Sequence, residues 1–550
     1  MAERIRTRGA AVEAGERSRR GSGLPDGEKT RVGRVDPTER CVKFCVSFSL
    51  VSSAFTWSVA ATAVTVLIAS LFPLNRHRIE LIAAVAVGSL VATVVALHFA
   101  TRAGWIAPAL PWNTQPWVWA ALFALGWVGV GWRSGRRRSR VLAGAAVPVS
   151  IVMALVLFNA YFYYLPTFGD LVGHAPTDRA SSAQVETATD WAQRFHRIGA
   201  AATTDPDAAA GQVAPTTGQA AALRALPHGL VLPAVFPSTR SHFPARPGWV
   251  YLPPAWWGPQ RARLPVLELF GGTPSSPVEW LRGADVQGSA DAFAAAHGGM
   301  APVLAMVDDN GSFTGDTECV DRPGSLAETY AVTDVRNDLV RRFGVSANAH
   351  LWGAAGLSEG GLCALALGLR HSNDYSAIGD FGGEPTQSLG GPAKTSTQLF
   401  GGNAALQASY DPNVLMRDRP HPGLAAMFVS GNQDPNLATL QRQAGEARAD
   451  GMRVAMRVVP GGHTYYVWRE AMRAFISFAW QQLASPVASQ PIGARNTDTS
   501  GDSTASQHHR SGLSASSWWT VHRPSTGAAR SAGSVPLGTS STGAHRRSPS

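Results

Sequence analysis

"GAAGLSEGGLCALALGL" runs from Gly353 to Leu369, and its reading decides the fold. Ser358 stands between Gly356 and Gly360, after an apolar run and ahead of a helix-like one. "HLWGAAGL" reads as a buried strand and "EGGLCALALGLR" as a helix. A serine at that join is a candidate nucleophile on a sharp turn, where small flanking residues let the hydroxyl stand exposed. The pentapeptide is weak by itself. In a chain with 56 Gly, a G-x-S-x-G arises by chance on the order of half a time. It gains meaning only from its surroundings.

Those surroundings have a regular grammar. Short apolar runs occur at 229–237, 248–254, 264–270, 301–309, 349–358, 375–381, 423–431 and 452–462. Between them lie helix candidates at about 278–297, 328–344, 359–371, 436–450 and 465–484. Strands alternating with helices imply an α/β domain at 227–485, a mostly parallel sheet covered on both faces.

A serine hydroxyl is a poor nucleophile unless a base removes its proton during attack. His463, in "RVVPGGHTYYVW", occupies the loop after the last expected strand. Asp434, in "VSGNQDPN", follows the strand before it and would hold the imidazole in its useful tautomer. A turn or helix-cap role is the other reading of Asp434. The order Ser, Asp, His is that of the α/β-hydrolases. Charge building on a carbonyl oxygen needs donors, which the backbone N–H groups of Glu359 and Thr273 would supply, the latter after Gly271 and Gly272. The aromatic residues Tyr465, Tyr466 and Trp468 either line an acyl channel or pack a helix on the sheet.

The segments "VYLPPAW", "LPVLELFGGTPSSPVEW", "GDTECVD", "ETYAVTDV", "GLSEGGLCAL", "VSGNQDP" and "PGGHTYYVW" resemble the esterase D and mycolyltransferase branch of the α/β-hydrolases. More closely, they resemble actinobacterial membrane-anchored esterases, over roughly residues 45–485. The resemblance implies a triad matching Ser358, Asp434 and His463, and acyl-ester chemistry outside the cytoplasmic membrane. Many relatives carry His-Gly or Asp-Gly where this chain has Gly271-Gly272. Glu359 is expected to place a carboxylate beside the site and to disfavour anionic substrates.

Upstream the composition changes. Four apolar stretches, at about 46–72, 80–100, 116–132 and 141–165, are expected to form a four-span transmembrane region at 45–166, since a span needs about 20 apolar residues. Arg76 and Arg78 follow the first stretch, and Arg133, Arg136, Arg137, Arg138 and Arg140 follow the third, whereas the second loop has only Arg102. By the basic-loop rule, loops one and three face the cytoplasm and the catalytic domain lies outside. The basic N-terminal tail votes the other way. Tyr161, Tyr163 and Tyr164 would sit at the outer surface.

A polar linker is expected at 167–226, and disordered tails at 1–44 and 486–550, where too little apolar surface is available to offset chain entropy. The net charge of +10 sits in these tails and in the membrane-proximal loops, not in a basic stripe interleaved with aromatics. Partners are therefore expected to be a lipid bilayer and an acyl ester, lipid or cell-envelope derived, rather than nucleic acid. Cys41 and Cys45 carry weak metal spacing, and the sequence shows no convincing cofactor or metal motif. Cys319 and Cys363 are free to form a disulfide in an oxidising compartment or to remain reduced.

Two other functions fit the same residues. The acyl-enzyme could pass its chain to a sugar or glycerol hydroxyl instead of water, or the domain could be a non-catalytic binding module on a membrane protein.

Overall fold

The computed structural model describes residues 47–102, 111–133, 137–172 and 226–484. Both expected tails, Cys41 and Cys45, and the linker from 173 to 225 lie outside the described residues.

Eight strands form one sheet: β1 (Leu230–Ala234), β2 (Gly248–Leu252), β3 (Val266–Phe270), β4 (Val303–Met306), β7 (Trp352–Leu357), β8 (Ala377–Phe381), β9 (Ala425–Gly431) and β10 (Arg453–Val459). A two-residue-strand hairpin, β5 (Asp321–Arg322) with β6 (Ser325–Leu326), stands apart. The sheet order is β1-β2-β4-β3-β7-β8-β9-β10. β2 is antiparallel to both β1 and β4, and every later pairing is parallel. Each of the eight apolar runs read from the sequence contains one of these strands. β3, β4, β7, β8 and β9 are buried at every position, as parallel strands covered on both faces must be. β10 closes one edge and exposes Arg453, Val458 and Arg457 rather than a continuous apolar face.

Two apolar layers fill the two faces. Tyr330, Trp352, Leu365 and Phe428 lie in one, and Trp280, Phe381, Met472 and Phe475 in the other. The expected helix at 278–297 is two pieces, Glu279–Arg282 and Val286–Ala296, with Asp285 between them in the left-handed region at φ 48°. Sequence periodicity passes over such a break because both pieces keep apolar residues inward. Three short helices between β8 and β9, Pro392–Phe400, Ala404–Ala408 and Pro412–Asp418, were not legible as periodic segments. They are too short for a periodic stripe, and local caps start two of them: Asn403 accepts from the N–H of Leu406, and Asp411 from that of Asn413.

Upstream, four helices form: Ser53–Leu71, Arg76–Arg102, Gln115–Arg133 and Arg137–Phe162. Among the described residues three are long and apolar enough to cross a membrane, where four were expected. The apolar part of the third, Gln115–Val130, falls short of 18 residues. It packs among the others nonetheless, with Ala120, Phe123, Ala124 and Trp127 buried. A polar clamp joins the helices at one end. Arg78 donates to Ser139 Oγ at 3.0 Å, Ser139 donates to Ser70 O at 2.7 Å, and Trp127 Nε1 donates to the same carbonyl at 3.2 Å.

The opposite end is tied differently. Ser49 and Thr167 form an antiparallel bridge, with Leu50 N–H donating to Pro166 O and Phe168 N–H to Phe48 O. Asn159 makes two hydrogen bonds to the Leu165 backbone, and Thr167 with Asp170 forms a reciprocal cap. Residues 167–172, expected to open a polar linker, are therefore a continuation of the helical region: Asp170 is spent on the cap and buried.

Candidate active site

The parallel strands deliver their C-terminal ends to one edge of the sheet, where open α/β sheets bind ligands. Ser358 follows β7, Asp434 follows β9, His463 follows β10, and Thr273 follows β3. Four loops distant in sequence thereby share one rim.

Ser358 has φ 56° and ψ −126°, outside the regions a side-chain-bearing residue prefers. Its N–H donates to Phe381 O, and its carbonyl accepts from the N–H groups of Gly361 and Leu362, which starts the helix Glu359–Arg370. The flanking glycines are dictated by contact. A Cβ at Gly356 would run into the Gly360 backbone, and one at Gly360 into the backbone of Phe270 and Gly271. The turn is tight because strand and helix close directly on each other.

His463 Nε2 lies 2.8 Å from Ser358 Oγ, and His463 Nδ1 lies 3.0 Å from Asp434 Oδ2. The second contact assigns the Nδ1–H tautomer, because an ionised carboxylate only accepts; Nε2 is then left to accept the serine proton. The Asp434 carboxylate is fully buried, and its other oxygen accepts from the Asn436 N–H at 2.9 Å. The two sequence readings of Asp434, orienting acid and turn residue, thus use different oxygens. Trp468 stands edge-on to the imidazole with centroids 5.0 Å apart, while Gly461 N–H donates to Asn432 Oδ1 and Gln433 N–H to Gly461 O. These bonds lock the aspartate loop to the histidine loop.

Glu359 is the first residue of its helix, so its N–H has no acceptor within the helix. The Thr273 loop abuts the serine: a Cβ at Gly272 would lie 3.1 Å from Ser358 Cβ. Thr273 Oγ1 lies 3.1 Å from Gly315 O and 3.4 Å from Glu359 Oε2. Asn310 Nδ2 donates to that same carboxyl oxygen at 3.0 Å. Asn310 was not singled out from the sequence; its only signal is its place in "VDDNGS", directly after a buried strand.

The Glu359 side chain, expected to place a carboxylate beside the site, is held by Asn310 and Thr273. It is buried, and burial, with the nearby Asp309 and Glu318 charges, holds its pKa well above the usual carboxylate range. It is a member of a hydrogen-bonded cluster with Asn310 and Thr273 under the site. Burial and the Asp308 charge raise Asp309 to about 7, and burial with the Asp316 charge raises Glu384 to about 7.

Oxygens of Asp316, Glu318 and Glu359 lie within 4.8 Å of one another, as do ligand atoms of Asp309, Glu359, Cys319 and Cys363. The two sulfurs are joined to each other, with Cα atoms 5.5 Å apart. They therefore offer no thiolate to a metal. Of the aromatic residues, Tyr465 and Trp468 are buried against the sheet, and Tyr466 is exposed.

A mostly parallel sheet presenting a serine on a strained turn, backed by an imidazole and a carboxylate in the order Ser, Asp, His, defines the class of α/β-hydrolases. Comparison with known proteins narrows it. Residues 245–478 match the family model described as "Putative esterase". An uncharacterized protein of Corynebacterium glutamicum is 28% identical over 371 residues, covering 66% of this chain and 80% of that one. Among solved structures, a ferulic acid esterase is similar over 46% of this chain and 99% of its own, at 22% identity and a TM-score of 0.38. An S-formylglutathione hydrolase from Agrobacterium tumefaciens covers 47% and 97%, at 14% and 0.39. Mycobacterium tuberculosis MPT51 covers 46% and 97%, at 15% and 0.33. Residues 245–478 form an esterase-type α/β-hydrolase domain, and the protein is an enzyme of ester chemistry.

Proposed function

We propose that this protein is a membrane-anchored serine esterase whose catalytic domain lies outside the cytoplasmic membrane. Ser358 Oγ attacks the ester carbonyl carbon while its proton passes to His463 Nε2. Asp434 stabilises the resulting imidazolium through Nδ1–H. The tetrahedral oxyanion is received by the N–H groups of Glu359 and Thr273. On collapse the carbon–oxygen bond to the alcohol breaks, and Nε2 returns its proton to the departing oxygen. Water, deprotonated by the same nitrogen, then attacks the acyl-serine and releases the acid. A sugar or glycerol hydroxyl in place of that water would make the reaction an acyl transfer.

The observation that carries this reading is the unbroken hydrogen-bonded relay from Ser358 through His463 to Asp434. Sidedness rests on the bundle. Arg78 and Ser139 meet at one end, among the basic residues Arg76, Arg137, Arg138 and Arg140, while the described helices bring only Arg102 to the end that leads into the catalytic domain. A fluorophosphonate probe should label the wild-type chain and leave Ser358→Ala unlabelled. Equal labelling of both, or of neither, would remove the nucleophile assignment.

A further inference from the structure

The end of the fourth helix does more than connect. A Cβ at Gly462 would lie 2.5 Å from the Tyr161 hydroxyl, so Tyr161 rests against the backbone of the residue preceding His463. The Tyr163 ring is 4.5 Å from that of Tyr466, and the Arg469 guanidinium lies 4.7 Å over it. Tyr164 meets Tyr465 at 5.9 Å and Phe313 at 6.5 Å between ring centroids. Phe313 O in turn accepts from the N–H of Ser275, two residues beyond Thr273. Tyr161–Tyr164 thus spans from the histidine loop to the neighbourhood of the Thr273 loop.

This strap is held at both ends of its course. Asn159 pins its helix side to Leu165, and the Ser49–Thr167 bridge and the Thr167–Asp170 cap hold its far side. Asp170 also reaches Arg282, at 3.7 Å. Tyr163 has φ 61°, a conformation that a bulky aromatic adopts only under constraint from its surroundings. Exposed apolar side chains continue around it: Phe48, Phe168, Leu171, Phe313 and Tyr466.

We propose that this strap is a wall of the active-site mouth, and that the enzyme takes its ester directly from the bilayer surface: a lipid bearing a long acyl chain. The proposal rests on the serine esterase reading and names its substrate class. Tyrosines ending a membrane helix sit at headgroup depth. A mouth built against them stands where a lipid ester need rise only partly from the membrane. The exposed apolar rim covers the chain during that rise, which a substrate diffusing in from water would not require.

The test uses the full chain reconstituted in phosphatidylcholine vesicles carrying a fluorogenic long-chain diacylglycerol ester, with p-nitrophenyl acetate as the soluble ester. In Tyr163→Ala the ratio of kcat/KM for the vesicle ester to that for the soluble ester should fall about tenfold, chiefly through KM, and Tyr163→Phe should recover most of it. Arg469→Gln, which loosens the same ring without altering the strap, should move the ratio in the same direction. Ratios within about twofold of wild type in both Tyr163→Ala and Arg469→Gln overturn the proposal. So does a wild-type enzyme that prefers the soluble ester. Fluorophosphonate labelling on the same samples keeps the two readings apart: labelled protein with an unmoved ratio sinks only the strap, whereas wild type that takes no label sinks the serine reading beneath it.

Discussion

At the residue scale the proposed site turns on one buried carboxylate. Asp434 divides its oxygens between Asn436 N–H and His463 Nδ1, and its side chain has no solvent exposure. Asn at this position keeps the shape but can present an N–H to Nδ1, favouring the tautomer whose Nε2 carries the proton. Asp434→Asn should therefore lower kcat by about 10³–10⁴-fold with little change in KM, measured on a soluble ester. A loss below about tenfold would show that the imidazole is oriented by something else. The serine, aspartate and histidine were each legible because each follows an apolar strand run, and position after a strand is a local property. The surroundings of Glu359 were not legible for the opposite reason. Burial and the charges of Asp309 and Glu318 raise its pKa, Asn310 donates to it, and these three residues lie 41 to 50 positions away in the chain and meet it only on folding.

At the scale of elements, the helix after Ser358 is braced from outside. Cys363 lies on the second turn of Glu359–Arg370, and its bond to Cys319 closes a loop of sequence separation 44. In the chain-entropy account such a crosslink stabilises the domain by about 4 kcal/mol. The double variant Cys319→Ala/Cys363→Ala should lose fluorophosphonate labelling at a temperature several degrees lower than wild type, and reductant should bring wild type towards the variant. Indifference of the wild type to reductant, with no shift in the variant, would mean the bond is not formed. From the sequence both the bonded and the reduced state were open, since cysteine spacing alone does not bring two Cα atoms to 5.5 Å.

Across the whole molecule, buried carboxyls set the pH dependence. Burial raises Glu268, Glu279 and Asp380 to about 7, alongside Asp309 and Glu384. A carboxyl whose folded pKa lies above its unfolded value binds its proton more tightly when folded. Its contribution is fully present below the unfolded value, 4.5 for Glu268, and is lost as pH rises to about 7. The thermal midpoint should therefore fall between about pH 4.5 and 7. Glu268→Gln, which retains an acceptor for the Tyr375 hydroxyl now bonded at 2.6 Å, should flatten that fall. A wild-type midpoint that rises through this window would contradict the assignment.

The eight strands, the order of the three candidate residues and the places of the apolar helices, though not how many qualify as spans, could be read from the chain alone. Each is written in neighbouring residues: an apolar run, a turn at its end, a stretch of given length. The sheet order, the burial of Glu359 among other carboxyls, the cysteine pairing and the seating of Tyr161–Tyr164 beside His463 required the folded molecule. They arise between segments far apart in sequence, and the energy of such contacts depends on packing and burial that no local period records.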